Sequence, residues 1–184
     1  MTAVASKAAA SRLSKPGSGL FVAADVHYLG GGGARAAAVV AAEPTFSELL
    51  ADRCVLVSRV VHYQPGRFYL RELPALHAVL DDLKGIRLLV IDGYVDLDPD
   101  GRPGLGAHAA ADFGVPVIGV AKTPFRTATH AIPVVRGDKA SRPLYITAAG
   151  MSREEAAELV RGMAGPYRMP DGLRRADAVA RGRA

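Results

Sequence analysis

The residues with chemistry in them are acids, and they fall where strands should end. The stretch LLVIDG (88–93) runs through four apolar positions and closes on Asp92 and Gly93, and Asp96, Asp98 and Asp100 follow within a few residues. Asp25 lies near the end of another apolar run, LFVAADV (20–26), and Glu72 opens the segment RELPALHAVLDDLK (71–84). Carboxylates gathered closely repel one another unless a cation sits among them. In open α/β sheets, sites collect at strand ends. If the first strand neighbours the 86–92 strand, Asp25 and Asp92 come within reach of one ion, and Glu72 can join from a helix N-terminus. Three carboxylates and water suit Mg²⁺ or Mn²⁺, hard ions that prefer oxygen. Such sites handle phosphates, where the metal activates water and stabilises the leaving oxygen.

Two other groups could serve the same chemistry. Lys122 follows IGVA at another strand end, where it could hold a scissile phosphate or polarise water. Tyr63, Pro65 and Gly66 in HYQPGRFYLRE form a stiff loop with further aromatics nearby. Beside an acidic site, such a loop could stack on a base or wedge into a duplex. Each residue also has a plainer reading. An acid closing a strand is often a turn residue or a helix cap, and a lysine there is often only solvated. The loop of Tyr63, Pro65 and Gly66 could be a packed β-to-α connection. DPDG is a strong turn signal, and the cluster of Asp96, Asp98 and Asp100 lacks the bidentate Glu of a calcium loop.

The elements that must position these residues are legible from periodicity. LFVAADV (20–26) reads as a buried strand, GGGG (30–33) as a chain reversal and ARAAAVVAAE (34–43) as the returning strand, although its alanines also suit a helix. RCVLVSRVVHY (53–63) reads as a third strand. The 71–84 segment places Leu73, Leu76, Val79, Leu80 and Leu83 on one helical face. IRLLVID (86–92) has the continuous apolar character of a strand covered on both sides. A helix over 104–114 closed by Gly114, a strand over 115–122, a strand over 141–150, a capped helix from Ser152 to about Met163 and a short basic C-terminal helix complete the pattern. An antiparallel meander followed by alternating helix and strand describes an α/β fold, a mixed sheet with helices on its faces.

The chain has 184 residues, which fits one domain with a sizeable core. We expect residues 1–19 to be a loose tail and 20–184 a single domain. The net charge of +5 leans towards an anionic partner such as nucleic acid. Cys54 is the only cysteine, which excludes an internal disulfide and a zinc cluster and suits a reducing cytoplasm. No apolar stretch reaches the ~18 residues that span a bilayer, so no membrane role is expected, and 1–19 lacks the apolar core of a signal peptide.

Together these segments resemble the endonuclease V family of deoxyinosine-specific nucleases, from about residue 20 to 180. VAADVHY resembles the first-strand motif with the family's first catalytic Asp, here Asp25. YQPGRFYLRELP is similar to the family's Tyr-Ile-Pro-Gly segment followed by Phe-Arg-Glu, which implies Glu72 as the catalytic Glu and Tyr63 as the wedge. LLVIDG resembles the strand with the second catalytic Asp, here Asp92, and GLGAHAAADFGVPVIGVAK the segment ending in the catalytic lysine, here Lys122. SRPLYITAAG and YRMPDGLRRADAVA resemble the closing strand and C-terminal segment. The resemblance implies a ribonuclease H-like fold. It implies Mg²⁺-dependent cleavage, with Mn²⁺ as a possible substitute, at the second phosphodiester on the 3′ side of deoxyinosine in DNA, leaving 5′-phosphate. Some relatives prefer inosine in RNA. Asp25, Glu72 and Asp92 would hold the metal. Tyr63, Pro65, Gly66, Gly93 and Arg71 would contact nucleic acid, and the chain would act as a monomer. The departures are specific. The family's His-Pro-Arg is Asp98-Pro99-Asp100 here, so Asp98 stands beside the expected site as an acid. Gln64 replaces an apolar wedge residue, and Met151 follows Gly150 where many relatives have His. These leave open a non-catalytic nucleic-acid-binding member of the same fold, or a nuclease shifted to RNA or to mismatched or branched DNA.

Overall fold

The computed structural model describes residues 19–61, 67–137 and 141–183. They form one seven-stranded sheet with strand order β3-β2-β1-β4-β5-β7-β6. Strands β1 (Leu20–Tyr28), β2 (Ala34–Ala41) and β3 (Leu49–Val57) are an antiparallel meander. Strand β4 (Ile86–Asp92) runs parallel to β1, and β5 (Val117–Ala121) parallel to β4. Strand β7 (Leu144–Ala149) returns antiparallel to β5, and β6 (Ile132–Val134) lies antiparallel outside it. The expected mixed sheet is therefore present.

Helices α1 (Tyr69–Leu80) and α2 (Leu105–Phe113) cover one face of the sheet, and α3 (Arg153–Gly162) and α4 (Asp171–Ala180) cover the other. The apolar stripe of α1 packs as the periodicity dictates. Leu76, Val79, Leu80 and Leu83 meet Val22, Leu89 and Ile91, with Leu73 at the margin. On the other face Ala156, Ala157, Val160 and Leu173 meet Ala23, Val90, Ile118 and Ile146. Helix α3 opens with a reciprocal cap, in which Ser152 and Glu155 bond each other's backbone N–H groups.

The alanine-rich 34–43 segment forms a strand because its neighbours demand one. Pairing with β1 on one side and β3 on the other satisfies its backbone, and Ala34, Ala36, Ala37 and Ala38 are fully buried. Ala36 and Ala38 face the α1 layer, whereas Ala37 meets Val179 and Ala180 of α4. Small side chains on both faces let both helices approach.

One expectation needs correction, and one strand was not expected. The third strand occupies Leu49–Val57 rather than 53–63, because β2 requires a partner along its whole length and Leu49 to Ala51 supply it opposite Ala41 and Val40. Strand β6 was not foreseen. It is only three residues long and contains Pro133, tolerable because β6 is an edge. Among the described residues no helix is long and apolar enough to cross a membrane.

Candidate active site

The register of the sheet brings the strand-end groups together. The β1–β4 ladder ends at Ala24 opposite Ile91, so Asp25 and Asp92 occupy the next row and leave the sheet on the same face. Asp92 pairs with Val120 on β5, and Lys122 lies two residues further on, so its side chain leaves on that face too. There Lys122 Nζ donates to Asp92 Oδ2. Glu72 arrives from the first turn of α1 and is 8% exposed. Tyr28, at the end of β1, donates its hydroxyl to Glu72 Oε1 at 3.2 Å. The Arg71 guanidinium lies 3.7 Å from the Tyr28 ring centroid.

Burial and mutual repulsion govern the protonation of these acids. Burial, then the charges of Asp25 and Asp92, push the Glu72 carboxyl up to about 8, against the opposing pull of the Tyr28 hydroxyl and Arg71. Burial raises Asp25 as well, followed by the charges of Asp92 and Asp177. The three expected carboxylates therefore share one electrostatic environment. Among the described residues, however, no three acid, His or Cys side chains are drawn into a ready-made ligand cluster. Asp92 is instead paired with Lys122. The donor set still suits a hard divalent ion: every donor is a carboxylate oxygen, and repulsion of the kind acting on Asp25 and Glu72 is what a dication relieves.

Three participants escaped sequence reasoning. Asp177 of α4 is a fourth acid near Asp25, and Arg181 Nε pairs with it at 2.7 Å. Its signal was there to find: Leu173, Ala176 and Ala180 form the buried stripe of α4, and Asp177 interrupts it at helical spacing. Tyr28 and Arg168 had no such signal. Arg168 Nη2 donates to the carbonyls of Lys122 and Pro143 and so fixes the backbone that presents the lysine.

The remaining candidates divide. Gly93 has φ +148° and lines a cavity of about 300 Å³ that adjoins Asp92. Phe68, Tyr69, Tyr94 and Phe125 form its aromatic walls. Tyr63, Pro65 and Gly66 lie outside the described residues. Asp98 is engaged in its own turn: Oδ1 accepts from the Arg102 N–H at 2.9 Å, and Oδ2 pairs with Arg102 Nε at 3.1 Å.

A family model, Endonuclease V, matches residues 3–178. The chain is 33% identical to an endonuclease V of Azotobacter vinelandii, over 92% of this chain and 85% of the relative. It is 31% identical to one of Streptomyces coelicolor, over 90% and 79%. The crystal structure of the Streptomyces avermitilis endonuclease V superposes with a TM-score of 0.73 at 29% identity, covering 91% of this chain and 82% of that one. The Ciona intestinalis endonuclease V, solved with a 23mer DNA containing an inosine followed by a ribo-adenosine, shares the fold with a TM-score of 0.72 at 20% identity, over 89% and 84%.

Proposed function

The chain belongs to the endonuclease V family, and on that premise we propose that it hydrolyses a phosphodiester on the 3′ side of deoxyinosine in DNA, in a Mg²⁺- or Mn²⁺-dependent reaction of DNA repair that leaves 5′-phosphate. The observation that carries this reading is the placing of Asp25, Asp92 and Lys122 on one sheet face, Lys122 paired with Asp92, with Glu72 buried nearby. Asp25, Glu72 and Asp92 would hold the ion, which when bound supplies a more acidic water and neutralises charge on the departing 3′ oxygen.

The side chains divide the remaining work. Tyr28 orients Glu72 through its hydroxyl. Lys122 brings a positive charge to the face where a scissile phosphate would lie, and Arg168 holds its backbone in register. The cavity at Gly93 has the aromatic walls that would stack a base turned out of the helix. Unstacking costs least at weak or mismatched pairs, which favours a deaminated base over a normal one.

The test is an incubation of the purified chain with labelled inosine-DNA, inosine-RNA and undamaged strands, in Mg²⁺, Mn²⁺ or EDTA. Cleavage of inosine-DNA that requires the ion, and that Asp92→Asn abolishes, supports the reading. Cleavage by Asp92→Asn at the wild-type rate sinks it. A preference for the RNA strand moves the substrate and keeps the site. Binding without cleavage in either ion means a non-catalytic member of the fold.

A further inference from the structure

Beside Lys122 and Asp177 a groove of about 520 Å³ opens over α4, away from the aromatic cavity. Lys122, Tyr167, Arg168, Arg174 and Arg183 line it, with Leu173 beneath. Of these cations, Lys122 pairs with Asp92 and Arg174 with Asp171, at 3.0 Å for the latter, while Arg168 and Arg183 have no carboxylate partner among the described residues. The acid that lines the groove, Asp177, is itself paired with Arg181. The groove is thus cationic and continuous with the site.

Its aromatic member is exposed yet firmly anchored. Tyr167 is 55% exposed, and the Arg174 guanidinium covers one side of the ring at 3.9 Å from the centroid. The loop that carries it is held from below by Arg136, which is 6% exposed. Arg136 donates to the carbonyls of Met163, Ala164, Gly165, Tyr167 and Arg168, and among the described residues no carboxylate bonds to it. Gly137, with φ +89°, passes so close that a Cβ there would stand 2.6 Å from the Tyr167 carbonyl carbon. A cation buried on carbonyls alone is a costly way to fix a loop. What it fixes is a large aromatic ring facing solvent in a basic groove next to the reacting groups.

We propose that this groove is a subsite for one unpaired nucleotide of the cleaved strand, its base stacked on the open side of Tyr167 and its flanking phosphates met by Arg174 and Arg183. The inference rests on the endonuclease reading and adds to it a second, sequence-tolerant hold on the strand. Every base has a face to stack, so the subsite grips without selecting.

The experiment is a binding measurement in EDTA, where no cleavage occurs. Single-stranded oligonucleotides carry 2-aminopurine at each position in turn on both sides of the expected cut, and stacking quenches its fluorescence. We expect one position to be quenched well beyond its neighbours. Tyr167→Ala removes that quenching and weakens binding about tenfold, within the range for loss of one stacked base, whereas Tyr167→Phe keeps both. Arg183→Gln leaves the quenched position unchanged and lowers the slope of log affinity against log salt by about 0.7, one phosphate contact on a single strand.

Uniform weak quenching by the wild type overturns the proposal. So does a Tyr167→Ala variant with an unchanged melting temperature that binds and quenches like the wild type, or a Tyr167→Phe variant that fails as Tyr167→Ala does. An unchanged salt slope in Arg183→Gln removes that arginine from the subsite. Cleavage of the inosine strand, run in parallel, separates the two readings. If the endonuclease reading is wrong, the wild type does not cut although the position-specific quenching persists. If only the subsite is wrong, cutting proceeds with a KM that does not respond to Tyr167.

Discussion

Replacing Arg136 by methionine tests how the loop under the groove is built. Methionine keeps much of the volume and deletes the five bonds to Met163, Ala164, Gly165, Tyr167 and Arg168. A buried acceptor left unmade costs about 1–3 kcal/mol. The carbonyls of Tyr167 and the half-buried Arg168 regain water and that of Ala164 keeps the Asp171 N–H at 2.9 Å, so those of Met163 and Gly165 stay stranded. That amounts to about 3–5 kcal/mol, offset in part because a cation is no longer desolvated. A net loss of about 2–4 kcal/mol remains, and at about 2–4 °C per kcal/mol for a chain of this size the melting temperature should fall by about 5–15 °C. Arg136→Lys retains three of the donors and should fall between. Thermal unfolding followed by circular dichroism reads the shift, and hydrogen exchange reads whether 163–168 opens first. A methionine variant that melts within about 2 °C of the wild type, with the loop equally protected, would refute the assignment of Arg136 as the anchor.

Other perturbations follow from the same geometry. His77 bonds Asp81 Oδ1 through Nδ1 at 2.8 Å and Asp112 Oδ2 through Nε2 at 2.9 Å, an arrangement in which both nitrogens donate only as imidazolium. The bond to Asp112, opposed by burial and reinforced by Asp81, raises its pKa above the usual 6.5, so its stabilisation is complete below that value and is lost as pH rises through the folded-state pKa. His77→Gln should therefore lower the melting temperature at pH 5.5 and leave it unchanged at pH 9, and an equal shift at both would count against the latch. Gly119→Ala would set a Cβ 2.6 Å from the Gly93 carbonyl oxygen and 2.7 Å from Thr147 Oγ1, so denaturant unfolding should show a loss of about 1–3 kcal/mol. Lys122→Met should cut single-turnover cleavage by about a hundredfold or more while the melting temperature stays within about 2 °C, since its pairing with Asp92 is partly open to solvent on the lysine side.

Much of this architecture was written in the order of apolar runs. The β1 and β4 strands, the stripe on α1 and the capped α3 follow from periodicity, because a buried face repeats regularly along the chain. Asp25, Asp92 and Lys122 were legible for the same reason: each ends or follows an apolar run, and the parallel register then aligns them. What periodicity misses is contact between distant elements. Nothing local tells that Tyr28 reaches Glu72, that Arg168 reaches back to Lys122, or that Arg136 anchors a loop some thirty residues away. The third strand was misplaced because its alternating residues are half exposed, and its limits are set by β2 rather than by its own hydrophobicity.

The distribution of cost across the molecule argues for function. Burial, and after it the crowding of acids, raises Asp25 and Glu72, a free-energy burden that a protein selected only for stability would shed by mutation. The surrounding packing is correspondingly strict. Val22, Leu76, Leu89 and Ile118 are fully or almost fully buried within three rows of the acids or on the helix that bears Glu72. Thr147, also fully buried, accepts the Val95 N–H just beyond Gly93 at 2.8 Å. A rigid sheet thus tolerates repulsion where the β1–β4 ladder ends. Neutralising one acid should accordingly stabilise the fold as it ends catalysis, so Asp25→Asn should melt higher than the wild type in EDTA. An Asp25→Asn variant that instead melts lower would mean that the carboxylate bonds within the fold outweigh its repulsion by Asp92 and Asp177.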